Sequence, residues 1–366
     1  MRIVVNDIAA SRTGALSVLQ DFYRYIRENE TEHEWVFLLS DEYLEETERI
    51  RTVVVDGVKK SWFHRLFFDF CSGRKLIRSL APDVFFSLQN TLPLFLKVPG
   101  ALYIHQPLGF QTAKRFSVLK SAEREYAIYQ HLIAKLINAS ARSADCVIVQ
   151  TEWMKQAVIS VAGAKSDRVK KITPALPDLS GYAKADYETS RSFFYPSGDM
   201  LYKNHALLYL AAADLLVKGI TDFRITITLD RKEFLNKLSG IDVREEVLAH
   251  FSCLGRISRE ETYALYAGSV LVFPSYIETF GYPPAEARSL GALVLASRCP
   301  FCEEVLEGYG NVRYFDPFDA GELSALMADV IEGKLRRNAR CADSAVTGNG
   351  WGEVVDAVCA CRLNKA

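Results

Sequence analysis

The run "SVLVFPSYIETFGYPPAEARSLGALVLAS", from Ser269 to Ser297, constrains the fold more than any other part of the chain. Its opening, "SVLVFPS", is a short apolar segment rich in Val and Leu and closed by Pro-Ser, which reads as a buried strand. Pro283 and Pro284 suit the first turn of a helix, where a missing N–H costs nothing and φ is already set. That helix would carry Ala285, Glu286, Ala287 and Leu290 and stop at Gly291, before a second apolar strand, "ALVLAS". Strand, loop, helix and strand make half of a parallel α/β unit. Glu278 is then expected on the loop at the carboxyl end of a strand, and Glu286 in the first turn of the next helix. In open α/β sheets ligands bind in that crevice. Two carboxylates there can accept hydrogen bonds from sugar hydroxyls, while free N–H groups at a helix start favour an anion such as phosphate. On the pair alone the alternative stays open that Glu286 complements the helix dipole and Glu278 is a solvated loop residue.

The same alternation runs through the whole chain. "RIVVND", "EWVFLLS", "RTVVVD", "APDVFFSLQN", "GALYIHQPL" and "ADCVIVQTEWM" each hold a strand. Helical patterns lie between them, in "ASRTGALSVLQDFYRYIRENE", "SWFHRLFFDFCSGRKLIRSL" and "AEREYAIYQHLIAKLINASARS". After "TPALPDLSGYAKADYETSR", which reads as an interdomain linker, the pattern resumes. There "SFFYPSG", "DFRITITLD" and "HFSCLGRIS" are strands, and "KNHALLYLAAADLLVKG" and "REETYALYAG" are helices. With 366 residues, two Rossmann-like α/β domains are the natural division.

Composition narrows the function classes. A formal net charge of −1 gives no sign of a nucleic-acid partner. The apolar start "RIVV" breaks at Asn6-Asp7, too soon for a signal peptide. No stretch approaches the roughly 18–20 apolar residues that a spanning helix needs. A cytoplasmic protein is expected, at most peripheral on the inner face of the cell membrane. The eight cysteines fit that compartment as small buried hydrophobes. "CPFC" (Cys299 to Cys302) has redox-motif spacing, yet it follows a late strand of the wrong pattern, and Cys359/Cys361 are wrongly spaced to complete a zinc ribbon.

"GRISREETYALYAGSVLVFPSYIETFGYPPAEARSLGALVLAS" closely resembles the signature of the family 4 retaining glycosyltransferases, as do "CEEVLEGYGNVRYFDPFDAGELSALM" and "FYPSGDMLYKNHALL" on either side. "YIHQPLGF" and "VIVQTEWMK" look like members that build bacterial surface polysaccharides such as O-antigen and capsule. The resemblance implies the GT-B fold, two Rossmann-like domains facing across a cleft. The expected division is an acceptor domain over 1–178, a nucleotide-sugar donor domain over 179–345, and a last helix over 346–366 that packs back on the first. It also implies roles. Glu278 lies near the donor sugar, and Glu286 accepts hydrogen bonds from the nucleotide ribose. Backbone N–H groups around Thr279, Phe280 and Gly281 hold sugar and diphosphate, and Gly281 permits close approach because it lacks a Cβ. Lys203, opening a helix after "SFFYPSG", matches the diphosphate lysine. Many members carry an Arg five residues earlier, where Gly198 stands, so Lys203 acts alone or another cation such as Arg256 substitutes. In the first domain Gly14 fits the glycine turn of the first strand–helix loop, and His105 corresponds to a His facing the donor sugar.

The implied mechanism is transfer with retention, in which the diphosphate departs with electrostatic help and the acceptor hydroxyl attacks from the same face. No metal or other cofactor is expected. A glycosidase-like use of the two carboxylates is set aside because Glu286 belongs with the nucleotide. The partners implied are a nucleotide-sugar and a glycan acceptor, the latter carried on a lipid such as polyprenyl diphosphate. The basic, aromatic stretch from Lys59 to Arg78 reads either as a solvated helix face or as a helix lying on anionic lipid. Rival functions are a nucleotide-sugar epimerase and a silent glycan-binding or partner subunit. A dinucleotide oxidoreductase is disfavoured, since the first strand–helix turn lacks Gly-x-Gly-x-x-Gly.

Overall fold

The computed structural model describes residues 1–10, 13–55, 68, 73–93, 96–339, 348 and 350–362. Two compact units emerge, Met1–Ala175 with Gly348–Ala366, and Leu176–Thr347. The first holds β1 (Arg2–Asn6), β2 (Glu34–Leu39), β3 (Ile50–Val54), β4 (Val84–Ser87), β5 (Gly100–Tyr103), β6 (Cys146–Val149) and β7 (Val169–Lys171). They form one sheet in the order β3-β2-β1-β4-β5-β6-β7, and every described pairing is parallel. The second holds β8 (Ser192–Tyr195), β9 (Arg224–Ile227), β10 (Phe251–Cys253), β11 (Val270–Phe273), β12 (Val294–Ser297) and β13 (Val312–Phe315), ordered β10-β9-β8-β11-β12-β13 and again parallel.

Parallel sheets are covered on both faces, so their strands read as unbroken apolar runs, and β6 and β11 are buried at every residue. In the first unit Ile3 and Val5 point into one core layer and Val4 into the other, as a period of two requires. The helix Trp351–Ala360 closes the first of these layers. Its Trp351 ring lies 4.9 Å from Phe22 and 5.6 Å from Tyr103, and Val354 and Val358 share the core with Cys146 of β6.

Several elements differ from the sequence pattern. The stretch read as a linker belongs to the second unit from Leu176 onward. Tyr187 is its anchor: the hydroxyl donates to the Ser269 carbonyl at 2.7 Å and accepts the Leu293 N–H at 3.1 Å. Lys59, Lys60 and Arg65, with Trp62, Phe63, Phe67 and Phe70, lie outside the described residues. Phe68, counted among the lipid-facing aromatics, is instead buried in the core with Val4 and Ile77. "CPFC" does open a helix, Pro300–Val305, with Cys299 as its cap. Both thiols are buried, which pushes Cys299 up to about 11 and Cys302 well above the ordinary thiol range, so neither is poised as a redox nucleophile.

Candidate active site

The strand order of the second unit reverses at β8 and β11. Successive strands run outward from β8 through β9 and β10, then outward on the other side from β11 through β12 and β13. At such a switch point the two flanking loops diverge and leave a crevice at the carboxyl ends. The loops leaving β8 and β11 carry Lys203 and Glu278.

Lys203 ends a short 3₁₀ turn, Leu201–Lys203, rather than opening the helix after it. Asn204 intervenes in the left-handed conformation at φ 63°, and the helix His205–Val217 starts beyond it. Left-handed backbone in a non-glycine residue is costly unless surroundings fix it. Here the Asn204 amide donates to the carbonyls of Pro274 at 3.2 Å and Pro317 at 2.7 Å, tying three loops together. The buried Tyr195 hydroxyl donates to the Lys203 carbonyl at 2.7 Å. Lys203 is thus delivered at a defined place. Its Nζ lies 2.5 Å from Glu278 Oε1, and the two side chains are 13% and 18% exposed. Ser275 Oγ donates to the same carboxylate oxygen at 2.7 Å. A largely buried cation and carboxylate, side by side at a switch point, can serve a diphosphate and a sugar hydroxyl respectively.

Thr279, Phe280 and Gly281 complete the turn into the helix Tyr282–Ser289. Gly281 has φ 90°, a conformation that a Cβ would strain, and the ring of Phe301 lies 3.4 Å from where that Cβ would sit. Phe280 is buried against Ala285 and Val305, so its side chain anchors the turn. Glu286 is the fifth residue of this helix and sits in its second turn, not its first as expected. There the macrodipole does little for it, because that effect fades beyond the first turn. Instead it faces the helix Arg259–Gly268, where Tyr266 Oη donates to Oε2 at 3.1 Å. Burial raises the Glu286 carboxyl above the ordinary range, opposed by the Tyr266 hydrogen bond and the charge of Arg259.

Arg256 lies on the loop after β10, the edge strand two positions from β8. The cation that meets the loop around Gly198 is Lys237, whose Nζ lies 3.4 Å from Asp199 Oδ2. Sequence patterning gave no signal for Lys237, because the contact joins the end of the helix Arg231–Lys237 to the loop after β8 through space. Tyr266 was within reach, since "SREETYALY" announces a capped helix that carries Tyr263 and Tyr266 on one side. His205 is buried beside this loop, its Nε2 3.1 Å from Ser197 Oγ. Burial, with Lys203 and Lys237 nearby, lowers its pKa to about 3 and keeps the ring neutral.

His105 and Gly14 belong to the first unit. His105 follows β5, its backbone N–H donating at 2.7 Å to Asn90 Oδ1 on the loop after β4. Gly14 lies in the first turn of the helix Thr13–Asn29 rather than in the turn before it.

This fold is GT-B, an architecture of glycosyltransferases. Residues 184–345, nearly all of the second unit, match the family Glycosyl transferases group 1. Among solved structures, sucrose-phosphate synthase from Thermosynechococcus elongatus is similar at TM-score 0.66 and 16% identity, covering 100% of this chain and 97% of that one. WaaG, a glycosyltransferase involved in lipopolysaccharide biosynthesis, has TM-score 0.66 and 13% identity over 98% and 99% of the two chains. HepE from Anabaena, solved in complex with UDP, has TM-score 0.64 and 16% identity over 100% and 98%. Among curated proteins no sequence matches the chain.

Proposed function

We propose that the protein transfers a sugar, with retention of anomeric configuration, from a nucleotide-sugar to a lipid-linked glycan acceptor in surface-polysaccharide synthesis. The observation that carries this is the juxtaposition of Lys203, Ser275 and Glu278 at the switch point of the second unit, with Glu286 partly buried in the helix that follows. Lys203 neutralises the departing diphosphate, and Lys237 is the second cation in place of the absent Arg. Glu278 orients the donor sugar and Glu286 holds the ribose. Charge on the leaving group is stabilised by these side chains and by the backbone N–H groups around Thr279 to Gly281, without a metal.

An anionic lipid surface is the proposed platform. Between Lys114 and Lys135 the first unit exposes Leu119 (89%) and Leu132 (58%) among Arg115, Lys120, Arg124 and Lys135. Exposed apolar side chains interspersed with cations along the chain suit the lipid interface. Among the described residues no helix is long and apolar enough to cross a membrane.

One experiment tests the whole proposal: transfer to a polyprenyl-diphosphate-linked glycan on anionic vesicles, with EDTA present and the product's anomeric configuration read by NMR. Retention, undiminished by EDTA and slower on neutral vesicles, is expected. Inversion, or activity restored only by Mg²⁺ or Mn²⁺, rejects the mechanism. Equal rates on both vesicle types reject the surface.

A further inference from the structure

Glu286 is partly buried, and the donor placed against it is a phenol rather than a cation. Tyr266 is itself fully buried, and its ring packs edge-on against Phe194 of β8 at 5.5 Å, so the hydroxyl cannot swing away from the carboxylate. One turn earlier Tyr263 packs edge-on against Tyr182 at 5.0 Å, closing the same side. A carboxylate held through only one oxygen keeps the other available, with its rotation about the last side-chain bond arrested.

We propose that Tyr266 is a positioning residue for nucleotide binding: its hydroxyl holds Oε2 of Glu286 and so aims Oε1 at the ligand's hydroxyls. This rests on the ribose-binding role of Glu286 and adds what makes that role work. Pre-aiming an acceptor removes the ordering that binding would otherwise require.

The arrangement has a consequence for pH. The titratable groups that meet Glu286 are Arg259, Tyr263 and Tyr266, all from the helix Arg259–Gly268. Burial pushes Tyr263 up to about 12 and raises Tyr266 well above the ordinary phenol range, so neither phenol ionises on the acid side, where Glu286 changes charge. Hydroxyl binding needs the carboxylate. Affinity is therefore present above the Glu286 pKa and is lost as pH falls through it. Removing the Tyr266 hydroxyl takes away a bond that favours the charged form and moves that loss to higher pH.

Calorimetry checks this with a nucleoside diphosphate, chosen by thermal shift from UDP, GDP and ADP, and with its parent nucleoside, which does not titrate between about pH 5 and pH 8. Tyr266→Phe should bind the nucleoside about tenfold more weakly at neutral pH, as for loss of a hydrogen bond to a charged group. Its acid-side midpoint should rise by about one unit. In a Glu286→Gln background the same change should add less than about twofold. A Tyr266→Phe profile that superimposes on wild type, or an equal loss with and without Glu286, overturns the positioning role. Unchanged nucleoside binding in Glu286→Gln alone sinks the ribose role beneath it, and the two failures are distinguishable.

Discussion

The two units share one architecture, yet they treat polar groups at their switch points differently. In the second unit the loops after β8 and β11 are laced shut: Lys203 to Glu278, Ser275 to Glu278, Asn204 to two carbonyls, and Tyr195 to the Lys203 backbone. In the first unit Asn6, the last residue of β1 and beside β4, is fully buried, and neither end of its amide has a partner among the described residues. Trp35 and Asn138 of that unit also keep an unpartnered polar atom, whereas in the second unit His205 Nδ1 alone does so among the described residues. Buried polar groups are nearly always paired, and leaving one unpaired costs stability. The second unit therefore presents a finished electrostatic site. The first carries a group that still calls for a partner.

The largest effect that would sharpen this contrast is at Lys203. Lys203→Met should cut transfer by about 100- to 1000-fold, the scale for losing one group that stabilises the leaving charge. It should also destabilise the fold by about 3 kcal/mol, because it strands the Glu278 carboxylate out of water. Adding Glu278→Gln should recover most of that stability and none of the activity. Equal melting of the single and double variants would show that the pair does not stabilise the unit.

A smaller pair of changes should differ in sign. Ser275→Ala removes a donor from a satisfied network and should destabilise by about 1 kcal/mol. Asn6→Leu replaces an unpartnered buried amide by an apolar side chain of similar size and should stabilise by about 1 kcal/mol. Denaturant titration of both variants decides it, and destabilisation in both would erase the contrast between the units.

Much of the second unit was legible because its signals are local. The Val-Leu run of β11, the Pro-Pro pair and Gly291 each act on their own neighbours, and they place the Glu278 loop and its helix correctly. The strand β13, with only Phe315 buried, and the three-residue β7 carry too little apolar pattern to read as strands. Glu286 was misplaced by about one residue, from the first turn to the second, because Gly281, at φ 90°, lets the helix begin at Tyr282. Lys203 was put inside a helix because nothing in "LYKNH" reveals that Asn204 turns left-handed, held by carbonyls 70 and 113 residues away. Lys237 was missed for the same physical reason, since contacts made through space leave no period in the sequence.

The division of labour between the two carboxylates is tested most directly by nucleoside diphosphate affinity in Glu286→Ala and Glu278→Ala, measured side by side by calorimetry. Glu286→Ala should weaken binding by about 1.5–3 kcal/mol, the scale of a lost hydrogen bond to a charged group. Glu278→Ala should leave that affinity within about threefold of wild type while abolishing most transfer, because its partner in the complex is the sugar. Equal losses of nucleotide affinity in both variants would contradict the assignment.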